Sequence, residues 1–227
     1  MRPRSLAQLG ETIVACRACP RLVEYLAEVA RTKRRAFRDW DYWARPLPGR
    51  GDPRARLLVV GLAPAAHGGT RTGRVFTGDS SSQFLARALH RAGFASQPTS
   101  VHKDDGLTLR DCFISLAARC APPENKPTPD ELARCLPFLV DEVRLLRQLR
   151  VVVALGAIAH DAVLNAWSAP RPRPRFAHAA EAELPDGRVL VDTYHPSQQN
   201  TQTGRLTEAM FDAVFARVRA LLDTERR

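Results

Sequence analysis

The chain has 227 residues, 44% of them hydrophobic, and a formal net charge of +10 carried mainly by arginine. That length supports a full core in one α/β domain, and no apolar run approaches the roughly 20 residues that span a bilayer, so a membrane protein is not expected. The opening Met1-Arg2-Pro3-Arg4 lacks the apolar stretch of a signal peptide, which leads us to expect a cytoplasmic protein. Excess arginine points to a polyanionic partner, nucleic acid first, with a coding bias toward arginine and alanine as the other reading.

Leu6, Leu9 and Ile13 have helical spacing over residues 5–15, and the pattern stops at Cys16-Arg17-Ala18-Cys19-Pro20. In a reducing compartment a C-x-x-C pair reads as a ligand or redox pair before it reads as a disulfide. A second helical stretch, Leu22 to Ala30, runs into the basic Arg31-Thr32-Lys33-Arg34-Arg35, with Trp40, Tyr42 and Trp43 behind it. Rings stack on bases and cations neutralise phosphates, so this neighbourhood can grip a DNA strand; rings that plug a core edge are an equal alternative. Residues 46–53, rich in Pro and Gly, form a turn-laden connection.

Leu57 to Val60 is a short β-branched run that ends at Gly61 and opens into Leu62-Ala63-Pro64-Ala65-Ala66-His67-Gly68-Gly69. It reads as a buried strand delivering its C-terminal end to a site, where the small loop lets a flat ligand or a phosphate approach the backbone. The loop is neither a Walker A sequence nor a G-x-G-x-x-G fingerprint. It continues through Arg71-Thr72-Gly73-Arg74-Val75-Phe76-Thr77-Gly78-Asp79 to a helix over Ser80 to Ala92, for which Asp79 is a candidate N-cap.

Residues 111–118 read as a second buried strand, whose proline-rich exit places Asn125 in a loop on the same side as Asp79. Thr128-Pro129-Asp130-Glu131 is a helix start; that helix carries Cys135 and is expected to be reset at Pro137, with a further helical pattern to about Leu149. Val151 to Leu155 is the third strand, and Ala157 to about Trp167 its helix. Around Pro185-Asp186-Gly187 a hairpin is expected whose second arm, Arg188 to Thr193, joins the main sheet and ends in Tyr194-His195-Pro196-Ser197-Gln198-Gln199-Asn200. Leu206 to about Asp223 closes the chain as an amphipathic helix, and strand-helix alternation predicts parallel pairing.

Four of the five cysteines, Cys16, Cys19, Cys120 and Cys135, can ligate one iron–sulfur or zinc centre, which leaves Cys112 as a core residue. Spacing alone does not choose the metal. Taken with Tyr42-Trp43-Ala44-Arg45-Pro46, the run from Gly61 to Asp79, Cys120-Ala121-Pro122-Pro123 with Asn125-Lys126-Pro127, and His195-Pro196-Ser197 through Asn200-Thr201, the cysteine pattern makes the chain resemble the uracil-DNA glycosylase superfamily. The resemblance covers nearly the whole chain and is strongest to family 5, the branch related to the iron–sulfur family 4 enzymes.

The resemblance implies an α/β/α sandwich around a four-stranded, mainly parallel sheet, formed by one domain over residues 1–227 with a cluster-binding segment at about 1–50. It implies a structural [4Fe-4S] cluster on Cys16, Cys19, Cys120 and Cys135. It also implies a nucleoid-associated monomer acting on DNA that contains uracil or other deaminated bases, without opening the strand. Such an enzyme must extrude a nucleotide and stabilise both a departing base anion and an oxocarbenium-like sugar. Expected roles are base contacts from Gly61, Ala63, Pro64 and Ala65; stacking on Phe76; a hydrogen bond from His195 to the base carbonyl; and water positioning by Asp79 with Asn125. Arg71, Gln198, Gln199, Asn200 and Arg205 are the expected DNA contacts. Three departures matter: Gly61-Leu62-Ala63-Pro64-Ala65 has no polar side chain for water, the last loop has Gln198, Gln199 and Asn200 where relatives have an apolar wedge, and Leu116 stands where uracil-specific relatives present an asparagine. A DNA-binding redox or damage-sensing protein is the competing class, since the charge and the cysteines suit it equally.

Overall fold

The computed structural model describes residues 2–224. Its centre is the set of apolar runs read from the sequence: β2 (Leu57–Gly61), β3 (Cys112–Leu116), β4 (Val151–Leu155) and β6 (Val189–Thr193) lie parallel. Two short strands, β1 (Arg50–Gly51) and β5 (Glu181–Glu183), add antiparallel edges, giving the order β1-β3-β2-β4-β6-β5. The expected sheet of four is therefore the parallel core of a sheet of six. The extra edge strand β1 escaped sequence reading because two residues between proline-rich turns carry no periodicity.

Alternation along each strand sends its side chains to two cores. Leu57, Val59, Ile114, Leu116 and Val153 pack beneath α4 (Ser80–Arg91) and α8 (Glu208–Thr224). Leu58, Val60, Phe113 and Val152 pack beneath α5 (Pro129–Leu145) and α6 (Ala157–Ala166). The result is an α/β/α sandwich. Cys112 lies fully buried in the first core, as expected for the leftover cysteine.

The amino-terminal helices α1 (Leu6–Val14) and α2 (Pro20–Thr32) lie outside these layers. Arg21 ties α2 to α5 by a two-pronged ion pair to Glu131, 2.7 Å at the closer contact. Glu131 also closes the capping box with Thr128 that starts α5. That helix does not reset at Pro137 but continues through it to Leu145. Proline removes one intrahelical bond, yet Cys135 and Leu139 on either side are buried against neighbours and outweigh the loss. Further in, Arg119 and Glu142 form a nearly fully buried ion pair joined by the Ser115 hydroxyl. Removing one partner would strand the other charge, at a cost of about 3–5 kcal/mol.

Two further connecting elements shape the site. These are α3 (Gly69–Thr72), a single turn after the small-residue loop, and α7 (Gln198–Gln202), which forms where sequence reading expected only a polar loop. Among the described residues no helix is long and apolar enough to cross a membrane.

Candidate active site

Parallel strands leave their C-terminal ends on one side, and there a crevice of about 900 Å³ opens. The loop after β2 forms its floor, fixed by backbone bonds from Ala117 to the Gly61 carbonyl and from Ala118 to the Leu62 carbonyl, both 2.8 Å. Ala63, Pro64 and Ala65 line it, as do Phe76, Asp79, Leu116, Asn125 and His195 from other segments. The residues expected to bind and cleave are thus brought to one cavity.

Gly61 itself lies beneath the Phe76 ring. A β-carbon at Gly61 would come within 2.7 Å of that ring and 3.1 Å of Leu116, so only glycine lets the aromatic plate settle here. Phe76 adopts φ +47°, a conformation rare for a bulky residue. The turn is held by the Ser100 hydroxyl, which donates to the Phe76 carbonyl at 2.7 Å, and by Gly78, whose N–H donates to the Ser100 carbonyl. Arg74 completes the support through Thr77, Ser100 and an ion pair to Asp105.

His195 stands at the end of β6 with its ring centre 6.3 Å from that of Phe76. Burial lowers its pKa to about 4, so the imidazole is neutral near pH 7. Neither ring nitrogen has a partner among the described residues, which leaves the N–H free to serve the crevice. The backbone carbonyl is what the protein holds: the Ser197 N–H and the Asn200 side-chain amide both donate to it at 2.8 Å. Asn200, expected at the DNA, is therefore committed to the histidine turn. Gln198 and Gln199 remain exposed at the rim, and exposed Arg205 lies over the Tyr194 ring, outside the crevice lining.

Asp79 does cap α4: one carboxylate oxygen accepts from both the N–H and the hydroxyl of Ser82 at 2.8 Å. The other faces Gly68, where any β-carbon would collide with it. Burial raises the carboxyl pKa against the lowering effect of these bonds. Asn125 also lines the crevice, from a turn where it and Glu124 both have positive φ.

Arg71 departs from expectation. It is 3% exposed, with its guanidinium 3.9 Å from the centre of the Phe37 ring and 4.0 Å from that of Trp40. It donates to the carbonyls of His67 and Gly78, so it braces the loop from behind instead of meeting DNA. Trp40 and Trp43 serve as packing rings, the second of the two readings offered for them. Arg34, from the basic run read as a DNA grip, does reach the crevice edge, while the Tyr42 hydroxyl against His67 Nδ1 at 2.9 Å and Phe37 at that edge had not been expected. The signal for Phe37 is its place inside that basic and aromatic run.

The four candidate ligand thiols interact with one another. Burial first, then repulsion from Cys135, Cys16 and Cys19, pushes the Cys120 thiol up to about 12. Cys19 and Cys120 share a small apolar cluster with Leu22 and Leu26. Among the described residues no three side chains of the usual donor types are grouped closely enough for a single metal ion. A polynuclear cluster, with each thiolate on a different iron, suits wider donor spacing than one ion does.

The sequence profile of the uracil DNA glycosylase superfamily matches residues 48–219. Curated relatives extend the likeness to the amino-terminal segment. A type-5 uracil-DNA glycosylase of Mycobacterium tuberculosis (strain CDC 1551 / Oshkosh) is 50% identical over 223 residues, 97% of this chain and 83% of that protein. One from Thermus thermophilus is 52% identical over 93% of this chain and 95% of its own length. A type-4 uracil-DNA glycosylase of Pyrobaculum aerophilum is 29% identical over 69% of this chain and 74% of its own.

Proposed function

Because this chain belongs to the uracil DNA glycosylase superfamily, on its type-5 branch, we propose that it hydrolyses the N-glycosidic bond of uracil in DNA and leaves an abasic site. The observation that carries this reading is the neutral His195, its ring nitrogens unpartnered, opposite Phe76 over a loop too small to obstruct a base. A flipped uracil stacks on Phe76, and its carbonyl oxygen accepts from the imidazole N–H as the bond breaks and negative charge develops there. The Asp79 carboxylate, with Asn125 in the same crevice, orients the attacking water and offsets the positive sugar. A redox sensor needs the cysteines and the charge but gives no reason for this crevice. Incubation with a uracil-containing oligonucleotide, followed by alkali to cut abasic sites, tests the choice; an uncut strand at high enzyme excess overturns it.

Asp79→Asn and Asn125→Ala are each expected to slow single-turnover base release less than loss of His195 does, because the two share one duty. Unchanged rates in both remove them from the mechanism. Asp79 acts as a carboxylate, and burial raises its pKa, so the rate should fall on the acid side at a higher pH than an exposed aspartate would give. In Asp79→Asn that acid limb should disappear.

The substrate range extends past uracil to hypoxanthine and related deaminated bases. Leu116 is 1% exposed and lies beside Gly61 in the sheet register, lining the pocket with hydrocarbon. An asparagine there would test the uracil edge and leave its own amide unpaired against a wrong base, a source of strong discrimination. Leucine makes no such test. Matched oligonucleotides carrying uracil or hypoxanthine should both be processed, and Leu116→Asn should shift preference toward uracil. Strict uracil specificity in the natural protein overturns this.

The same reading gives Cys16, Cys19, Cys120 and Cys135 a [4Fe-4S] cluster. The support is their placement: Cys19 and Cys120 share one buried apolar cluster, and Cys135 is buried on α5. Bound there it supplies a cross-link between segments and no part of the bond cleavage.

A further inference from the structure

Exposed arginines differ in their partners from one segment to another. On the outer surface of α4 and α8 they are neutralised: Arg87 and Arg91 pair with Glu208, Arg91 also with Asp212, and nearby Arg217 pairs with Glu181. In the stretch that follows α2, exposed Arg34, Arg35 and Arg38 make no ion pair among the described residues, although Asp39 and Asp41 lie in the same stretch. Arg34 lines the crevice edge, and Phe37 beside it does the same.

This stretch is fastened to the base-binding loop. The guanidinium of Arg71 lies against Phe37 and Trp40 while its N–H groups hold the carbonyls of His67 and Gly78, at 2.7 and 3.0 Å. Arg71 thus ties the basic stretch and the crevice floor into one unit. His67 senses the unneutralised charge, since Arg34 and Arg71 add to burial in lowering its pKa.

We propose that Arg34, Arg35 and Arg38 are the phosphate-binding rim for the DNA strand entering the crevice, and that Arg71 is the positioning residue that holds this rim in register with the base pocket. The assignment rests on the reading of DNA as substrate. Phosphates neutralised by cations release counterions, so each contact steepens the salt dependence of binding by about 0.9 for duplex and about 0.7 for single strands.

The test is fluorescence anisotropy of labelled undamaged and uracil-containing oligonucleotides across a salt series. The triple variant Arg34→Gln, Arg35→Gln, Arg38→Gln should flatten the slope of log K against log salt by about 2–3. Arg87→Gln with Arg91→Gln, on the neutralised face, should leave slope and base release unchanged. An unaltered slope in the triple variant, or an equal flattening in the paired-face variant, overturns the rim. Arg71→Lys keeps the charge but loses the planar stacking. Its affinity loss should overlap that of the triple variant when the two are combined; simple additivity overturns its positioning role. Because undamaged DNA reports the rim independently of cleavage, a protein that binds with the expected slope yet releases no uracil would sink the glycosylase reading alone.

Discussion

Replacing His195 by alanine is expected to slow base release by roughly 10²–10³-fold, the scale on which a preorganised donor to a developing anion acts. The loss belongs in the chemical step, because the hydrogen bond strengthens only as charge builds on the leaving base. Single-turnover rates at saturating enzyme isolate that step, and a loss confined to binding would contradict the role. The pH profile adds a second check. With its pKa lowered to about 4 by burial, His195 donates as a neutral ring. Its deprotonation therefore imposes no fall in rate between about pH 6 and pH 8. If the imidazolium were the working form, the rate would instead decline as pH rises through the ordinary value of 6.5. Stability carries the same signature with its sign fixed. The unfolded chain binds the proton more readily than the folded one, so this group's contribution is present above 6.5 and lost as pH falls toward 4.

Cys120→Ser is expected to lose brown colour, bound iron and solubility together. The proposed cluster joins the segment around Cys16 and Cys19 to the exit of β3 and to α5, closing a long interval of chain. By the chain-entropy account of a cross-link, closing about 100 residues is worth on the order of 4–5 kcal/mol, a large part of a domain's net stability. Iron and sulfide assays on the natural protein supply the check that does not depend on the variant folding. Zinc in place of iron, or a colourless, soluble and fully active Cys120→Ser protein, would end the proposal. Cys112→Ala, at the thiol buried in the core away from the other four, should keep the colour.

The parallel core was legible because β2, β3 and β4 are buried on both faces and leave short, almost wholly apolar runs, interrupted in β3 only by Ser115. The placement of Phe76, Asp79 and His195 followed from the rule that strand ends on one side share a crevice. What stayed hidden depends on contacts between distant residues. Nothing near Arg71 in the chain says that Phe37 and Trp40 will enclose it. Asn200 looks like any polar loop residue until its amide meets the His195 carbonyl. Pro137 misled for the opposite reason, since a strong local rule was overridden by packing on both sides.

The neutralised arginines over α4 and α8 bear on how this protein finds its target. Arg34, Arg35 and Arg38 add an unneutralised positive field at the crevice edge, while Arg87 and Arg91 are offset by Glu208 and Asp212, so an approaching strand is drawn toward that edge before contact. Encounters then begin in near-productive orientation. Raising ionic strength should slow association far more than it hastens departure.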